Sequence, residues 1–208
     1  MFITFEGANG CGKTTIVLEV TKWLKALGYK VCYVKTPTDT ALGKVCRAAN
    51  SKLEPTALAC LLASDKYQCV HDEIKPKLSE GCVVLCDRFL LTAYTYNGMD
   101  GVSFDYTRQL YSQILQPDYN FVLELNYEEV KKNIAEREEK DLDRYEHETE
   151  RERETLSGAI EYCKKKGDPL KFIPVTKNLE DNTRKIIDIL LPIFKENNIV
   201  PAKDIAPN

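Results

Sequence analysis

Hydrophobic residues follow two alternating patterns along the chain. Short apolar runs recur at MFITF, KVCYV, GCVVLC, NFVLEL and KFIPV, and between them lie longer stretches in which apolar residues return every three or four positions. Unbroken runs of this length predict strands buried on both faces, and the wider spacing predicts helices packed against them. In the first helical stretch, TTIVLEVTKWLKAL, the apolar stripe is Ile16, Val20, Leu24 and Leu27. The later helical patterns are KLEPTALACLLASDKYQCVHDEIKPKLSEG, SFDYTRQLYSQIL, YEEVKKNIAER and LEDNTRKIIDILLPIFKEN. Pro76 falls inside the longest of them and predicts a kink there, because proline has no N–H to give to the helix. Strands alternating with helices predict an α/β fold around a parallel sheet.

One stretch breaks the alternation. Residues 136–154, EREEKDLDRYEHETERERE, are almost free of aliphatic side chains. Such a run reads as a solvated, salt-bridged helix face, or as a mobile charged lid that closes over a substrate.

Composition narrows the possibilities. A chain of 208 residues with 43% hydrophobic content can bury a core of its own, so residues 1–208 are expected to form one domain with the charged segment inside it. A net charge of −3 gives no basic face for a phosphate backbone, which argues against a nucleic-acid partner. The eight cysteines are scattered without paired zinc spacing and are expected to be reduced core residues. His71 and His147 have no ligand spacing and read as surface or packing residues. With a strand at the very start and no apolar run long enough for a bilayer, a cytoplasmic protein without membrane partners is expected.

The chemistry is concentrated at GANGCGKTT. Gly7, Gly10, Gly12, Lys13 and Thr14 fill the pattern G-x-x-x-x-G-K-[ST], with Cys11 and Thr15 completing the loop and the first helical turn. Glycines let the backbone amides curl inward, the helix adds its positive end, and Lys13 brings a point charge. Such a loop reads as a Walker A site shaped for a polyanion, with the Thr14 hydroxyl placed to complete a Mg2+ shell. A second constellation ends the third apolar run, where Asp87 and Arg88 stand at the carboxyl end of a strand, the place where open parallel sheets bind ligands.

With the segment CDRFLLTAYTYNG, the chain resembles the thymidylate kinase family of P-loop nucleoside monophosphate kinases, over nearly its whole length. Asp87, Arg88, Phe89, Thr92, Tyr96, Asn97 and Gly98 carry the likeness, supported by FEGANGCGKTT, TALGKVCR and DLDRYEHE in the family's order. The resemblance implies a P-loop NTPase fold with a five-stranded parallel sheet, and transfer of the γ-phosphoryl group of ATP to a deoxynucleoside 5′-monophosphate with magnesium. It also implies a homodimer. Lys13 and the backbone of Gly10 to Thr14 would hold the donor phosphates, Asp87 would support the metal or its water, and Arg88 would grip the acceptor phosphate. Arg144 and Arg137 are the candidates for an arginine that neutralises charge in the transition state, Arg144 slightly ahead. Asn9, Pro37, Arg47, Leu62, Lys66, Thr92, Tyr96 and Asn97 would form the acceptor pocket, and the loop at Thr176 to Leu179 would meet adenine.

Departures from the family pattern cluster on the acceptor side. Asn9 stands where a carboxylate is usual, Lys35 replaces an arginine, and Leu62 and Lys66 replace an aromatic and an arginine that clamp thymine. Asn97 replaces a glutamine, and Ala93 a Ser or Asn. Leu62 gives up a stacking contribution of about 0.5–1.5 kcal/mol, and Lys66 lacks the planar fork of arginine. Three readings stay open: a thymidylate kinase with a drifted pocket, which Arg47, Arg88 and Tyr96 favour; a kinase for another or modified nucleoside monophosphate; and a non-catalytic ATP-binding regulator.

Overall fold

The computed structural model describes residues 1–49, 52–137 and 145–202. Five strands form one parallel sheet in the order β2-β3-β1-β4-β5. These are β1 (Phe2–Glu6), β2 (Val31–Lys35), β3 (Val83–Asp87), β4 (Tyr119–Glu124) and β5 (Lys171–Pro174). The helices are α1 (Lys13–Ala26), α2 (Ala41–Ala49), α3 (Pro55–Cys69), α4 (Lys75–Ser79), α5 (Leu90–Met99), α6 (Phe104–Leu110), α7 (Tyr127–Ala135), α8 (Thr149–Lys165) and α9 (Leu179–Glu196).

Successive residues of a strand face opposite sides, so the two faces of the sheet collect different partners. Ile3 and Phe5 join Ile16, Val20, Leu24, Ile186 and Phe194 on one side, whereas Phe2, Val84 and Cys86 join Val70, Ile74 and Phe89 on the other. Register then sets the functional edge. Phe5 pairs with Asp87 in the β1–β3 ladder, which brings the loop after Glu6 and the residue after Asp87 side by side at the carboxyl ends.

The long helical pattern at 52–81 is interrupted where Pro76 requires it. A π-helical turn, Val70–Ile74, separates α3 from α4, and the Lys75 amide bonds back to Val70 O, five residues earlier. The wider turn absorbs the lost proline donor while the chain continues in one direction.

Three expectations need correction. Leu27 lies beyond the end of α1 and is 48% exposed, so the buried stripe stops at Leu24. All eight cysteines are free, but Cys60 is exposed and Cys32 only half-buried. The charged segment is not a uniformly solvated face: α8 begins inside it at Thr149, and Glu146 and Glu152 are buried. Among the described residues, no helix is long and apolar enough to cross a membrane.

Candidate active site

The loop between β1 and α1 is shaped by close approaches. Gly7 has φ 135°, and a Cβ there would lie 2.5 Å from Leu123 O on β4. Gly10, at φ 75°, sits against α7, where a Cβ would meet Ile134 Cγ1 at 2.9 Å. Only glycine fits such positions at low cost. Asn133 on α7 donates to Gly10 O at 2.8 Å, closing the loop from outside.

Inside the loop, Lys13 is 3% exposed and its Nζ donates to Ala8 O at 2.6 Å. Burial, reinforced by the Arg88 charge, pushes its pKa down, although Cys11, Asp87 and Glu152 oppose that shift. An entering anion would relieve both effects. Thr14, the second residue of α1, donates from Oγ1 to Asp87 Oδ2 at 2.5 Å. Asp87 is fully buried, and its Oδ1 has no hydrogen-bond partner among the described residues. Thr15 lies exposed on the same first turn.

The neighbouring strand end is fixed by a remote cap. Glu6, the last residue of β1, accepts from the amides of Phe89 and Leu91 at 3.0 Å, from the Thr92 amide at 3.1 Å and from Thr92 Oγ1 at 2.6 Å. One carboxylate thereby satisfies the open N–H groups at the start of α5, which has no local side-chain cap. Burial raises the pKa of Glu6, and the Thr92 donors pull it part of the way back.

Arg88, between β3 and α5, has φ 68°, a left-handed backbone unusual for a non-glycine residue. Its carbonyl accepts from Thr36 Oγ1 at 2.7 Å and Cys86 Sγ at 3.4 Å. Its guanidinium donates to Tyr96 Oη at 3.1 Å and Asn9 Oδ1 at 2.5 Å. A strained backbone persists only when its surroundings over-determine it, as they do here.

Asn9, Thr14, Pro37, Arg47, Leu62, Lys66, Arg88, Thr92, Tyr96, Asn97 and Arg137 all line one cavity of about 520 Å³. Lys35, Ala93, Tyr111 and Tyr145 complete parts of the same wall. The loop that carries Pro37 is held by Arg47, which donates to Pro37 O and Thr38 O at 3.0 and 2.7 Å, and by Asp65, which takes both the amide and the hydroxyl of Thr38. Arg47 is therefore occupied in building the wall as well as lining it. Lys66 is 3% exposed; burial lowers its pKa, and the charges of Glu6 and Asp65 oppose that. Asn97 donates to Thr107 Oγ1 at 3.2 Å.

Arg137 pairs with the buried Glu146 at the cavity edge. Arg144 lies outside the described residues. Four participants escaped the sequence reading. Glu6 carried a usable signal, a charge closing an apolar strand; Tyr145, stacked on Tyr96 at 4.4 Å, stood in DRYE; Tyr111 and Glu152 carried none.

Comparison with known proteins agrees with this geometry. The sequence model of the family described as "Thymidylate kinase" matches residues 5–186. The chain is 30% identical over 209 residues to the thymidylate kinase of Mesoplasma florum, covering 94% of this chain and 99% of that one. It is 36% identical over 141 residues to a probable thymidylate kinase of Pyrococcus horikoshii, covering 64% and 69% respectively. The crystal structure of thymidylate kinase from Ehrlichia chaffeensis superposes with a TM-score of 0.69 at 21% identity, over 91% of this chain and 98% of that one, and so shares the fold. A phosphate loop facing Arg88 across one cavity, and a family match over nearly the whole length, lead to one assignment: the chain belongs to the thymidylate kinase family of nucleoside monophosphate kinases.

Proposed function

We propose that this chain transfers the γ-phosphoryl group of ATP to thymidylate. The observation that carries the reading is the single cavity that includes Thr14 of the phosphate loop, Arg88, and the base-pocket candidates Leu62, Lys66 and Asn97. Such a cavity brings two bound nucleotides into contact, and phosphoryl transfer depends mainly on that alignment and on offsetting charge.

The roles follow from position. The Gly7–Thr15 loop and Lys13 hold the donor phosphates. Thr14 and Asp87 would hold Mg2+: the unpartnered Asp87 Oδ1 beside the Thr14 hydroxyl suits a hard cation that takes oxygen ligands. Magnesium bound there would offset charge on the outer phosphates. Arg88 grips the acceptor phosphate through the guanidinium N–H groups that Tyr96 and Asn9 do not take. One acceptor oxygen, already anionic near neutral pH, attacks the γ-phosphorus; the bond from that phosphorus to the β–γ bridging oxygen breaks, and ADP leaves. Arg137 and Arg144 are the candidates for neutralising charge on the moving group.

In the base pocket, Leu62 covers the ring, Lys66 and Asn97 donate to it, and Tyr96 fills the space of a ribose 2′-hydroxyl. Pro37, Arg47 and Thr92 frame the acceptor. A cytoplasmic homodimer goes with this reading, by likeness to the family. The changed residues at Leu62, Lys66 and Ala93 favour one second reading, a different or modified nucleoside monophosphate as acceptor. A coupled ADP-release assay over a panel of monophosphates tests both. Turnover strongest with thymidylate is expected; a clear preference for a purine or ribonucleotide would overturn the first reading, and no monophosphate-dependent turnover would overturn both.

A further inference from the structure

Glutamates crowd the start of α8, and Glu148, Glu150 and Glu154 are exposed as expected of a solvated run. Glu152 differs. It is 1% exposed, and its Oε1 accepts from the Asn9 amide and from Tyr96 Oη, each at 2.9 Å. Those two residues are the ones that receive the two prongs of Arg88, Asn9 through Oδ1 and Tyr96 through its hydroxyl oxygen. The contacts form a closed ring: the guanidinium divides onto Asn9 and Tyr96, and both converge on one carboxylate oxygen. Because the Tyr96 proton is committed to Glu152, its oxygen is left to accept from Arg88.

We propose that Glu152 is a positioning residue for the reaction: from α8 it fixes the orientation of both prongs of Arg88 through Asn9 and Tyr96. This rests on the reading of Arg88 as the acceptor-phosphate grip. A buried carboxylate that merely tied α8 to the phosphate loop would satisfy the Asn9 amide alone; the convergence with Tyr96 is what links it to Arg88. Charge-assisted networks of this kind hold a functional group in one geometry.

The test compares the natural chain with Glu152→Gln, Glu152→Ala and the double variant Asn9→Asp with Glu152→Gln, varying thymidylate and ATP separately. Glutamine keeps the size and one acceptor and loses the charge. In E152Q, the KM for thymidylate is expected to rise about tenfold with a fall in turnover, while the KM for ATP stays within about twofold. Glu152→Ala, which also removes the acceptor, is expected to lose more. Asn9→Asp returns a carboxylate to Arg88, and Asn9 Nδ2 has no hydrogen-bond partner among the described residues to lose. The double variant is therefore expected to recover most of the thymidylate KM, which a purely structural role for Glu152 would not allow. If E152Q leaves the thymidylate KM unchanged, or raises both KM values together with no recovery in the double variant, the proposal is wrong. A natural chain that fails to turn over thymidylate defeats the functional reading itself, before any variant is compared.

Discussion

Thr14 and Asp87, 73 positions apart in sequence, are joined by a 2.5 Å hydrogen bond from the threonine hydroxyl to Oδ2. The β1–β3 register makes this possible, since the phosphate loop leaves β1 beside the strand that ends at Asp87. The pairing leaves Oδ1 buried and without a partner among the described residues, a costly state unless another group arrives.

From that geometry, Asp87→Asn should impair turnover by about 10²-fold or more, the scale on which a fixed electrostatic group contributes. The magnesium concentration for half-maximal turnover should rise with it. Removing divalent cations from the natural chain with a chelator should stop the reaction, and restoring magnesium should recover it. A variant with unchanged magnesium dependence would take Asp87 out of metal support.

Lys66 gives a prediction in stability and pH. It is a buried ammonium that makes no hydrogen bond to any described residue, so its burial costs free energy unless a substrate pairs with it. Lys66→Met should melt at or above the temperature of the natural chain, while the KM for thymidylate rises about tenfold, on the scale of one charge-assisted hydrogen bond. The sign of the pH effect follows from the lowered pKa. The folded state disfavours the proton, so the penalty is fully present below the lowered folded value and fades as pH rises from there to the unfolded lysine value of about 10.4. The stability difference between the methionine variant and the natural chain should therefore shrink in the same window, and a difference that grew with pH would contradict the assignment.

Gly10 tests how the phosphate loop is braced. An alanine there combines a φ of 75° with a contact of 2.9 Å to Ile134 Cγ1 and 3.1 Å to Val130 O. Gly10→Ala should destabilise the fold by about 1–3 kcal/mol, the usual range for overpacking, and weaken ATP binding. Chemical denaturation with nucleotide titration checks both, and an undisturbed ATP affinity would show that α7 does not shape the loop.

Much of this organisation was legible in the sequence because it rests on local signals. The apolar runs gave the strands, and the glycine spacing at Gly7, Gly10 and Gly12 gave the phosphate loop, since both express backbone geometry directly. Leu27 misled because helical spacing continued past the point where the chain turned at Gly28. Glu6 and Glu152 show the harder limit. Each is a buried carboxylate whose partners lie 56 or more positions away, and nothing in RERE separates Glu152 from the exposed glutamates beside it. Tyr111, nearly fully buried at the cavity wall with no hydroxyl partner among the described residues, was equally invisible, because only tertiary packing brings α6's end to α3.

Label transfer tests the central claim most directly. The 208-residue chain is incubated with magnesium, ATP labelled at the γ-phosphate and unlabelled thymidylate, and the nucleotides are separated. The account predicts label appearing in thymidine diphosphate in step with ADP, and none when thymidylate is omitted. Label released only as inorganic phosphate, or retained in ATP throughout, would contradict it.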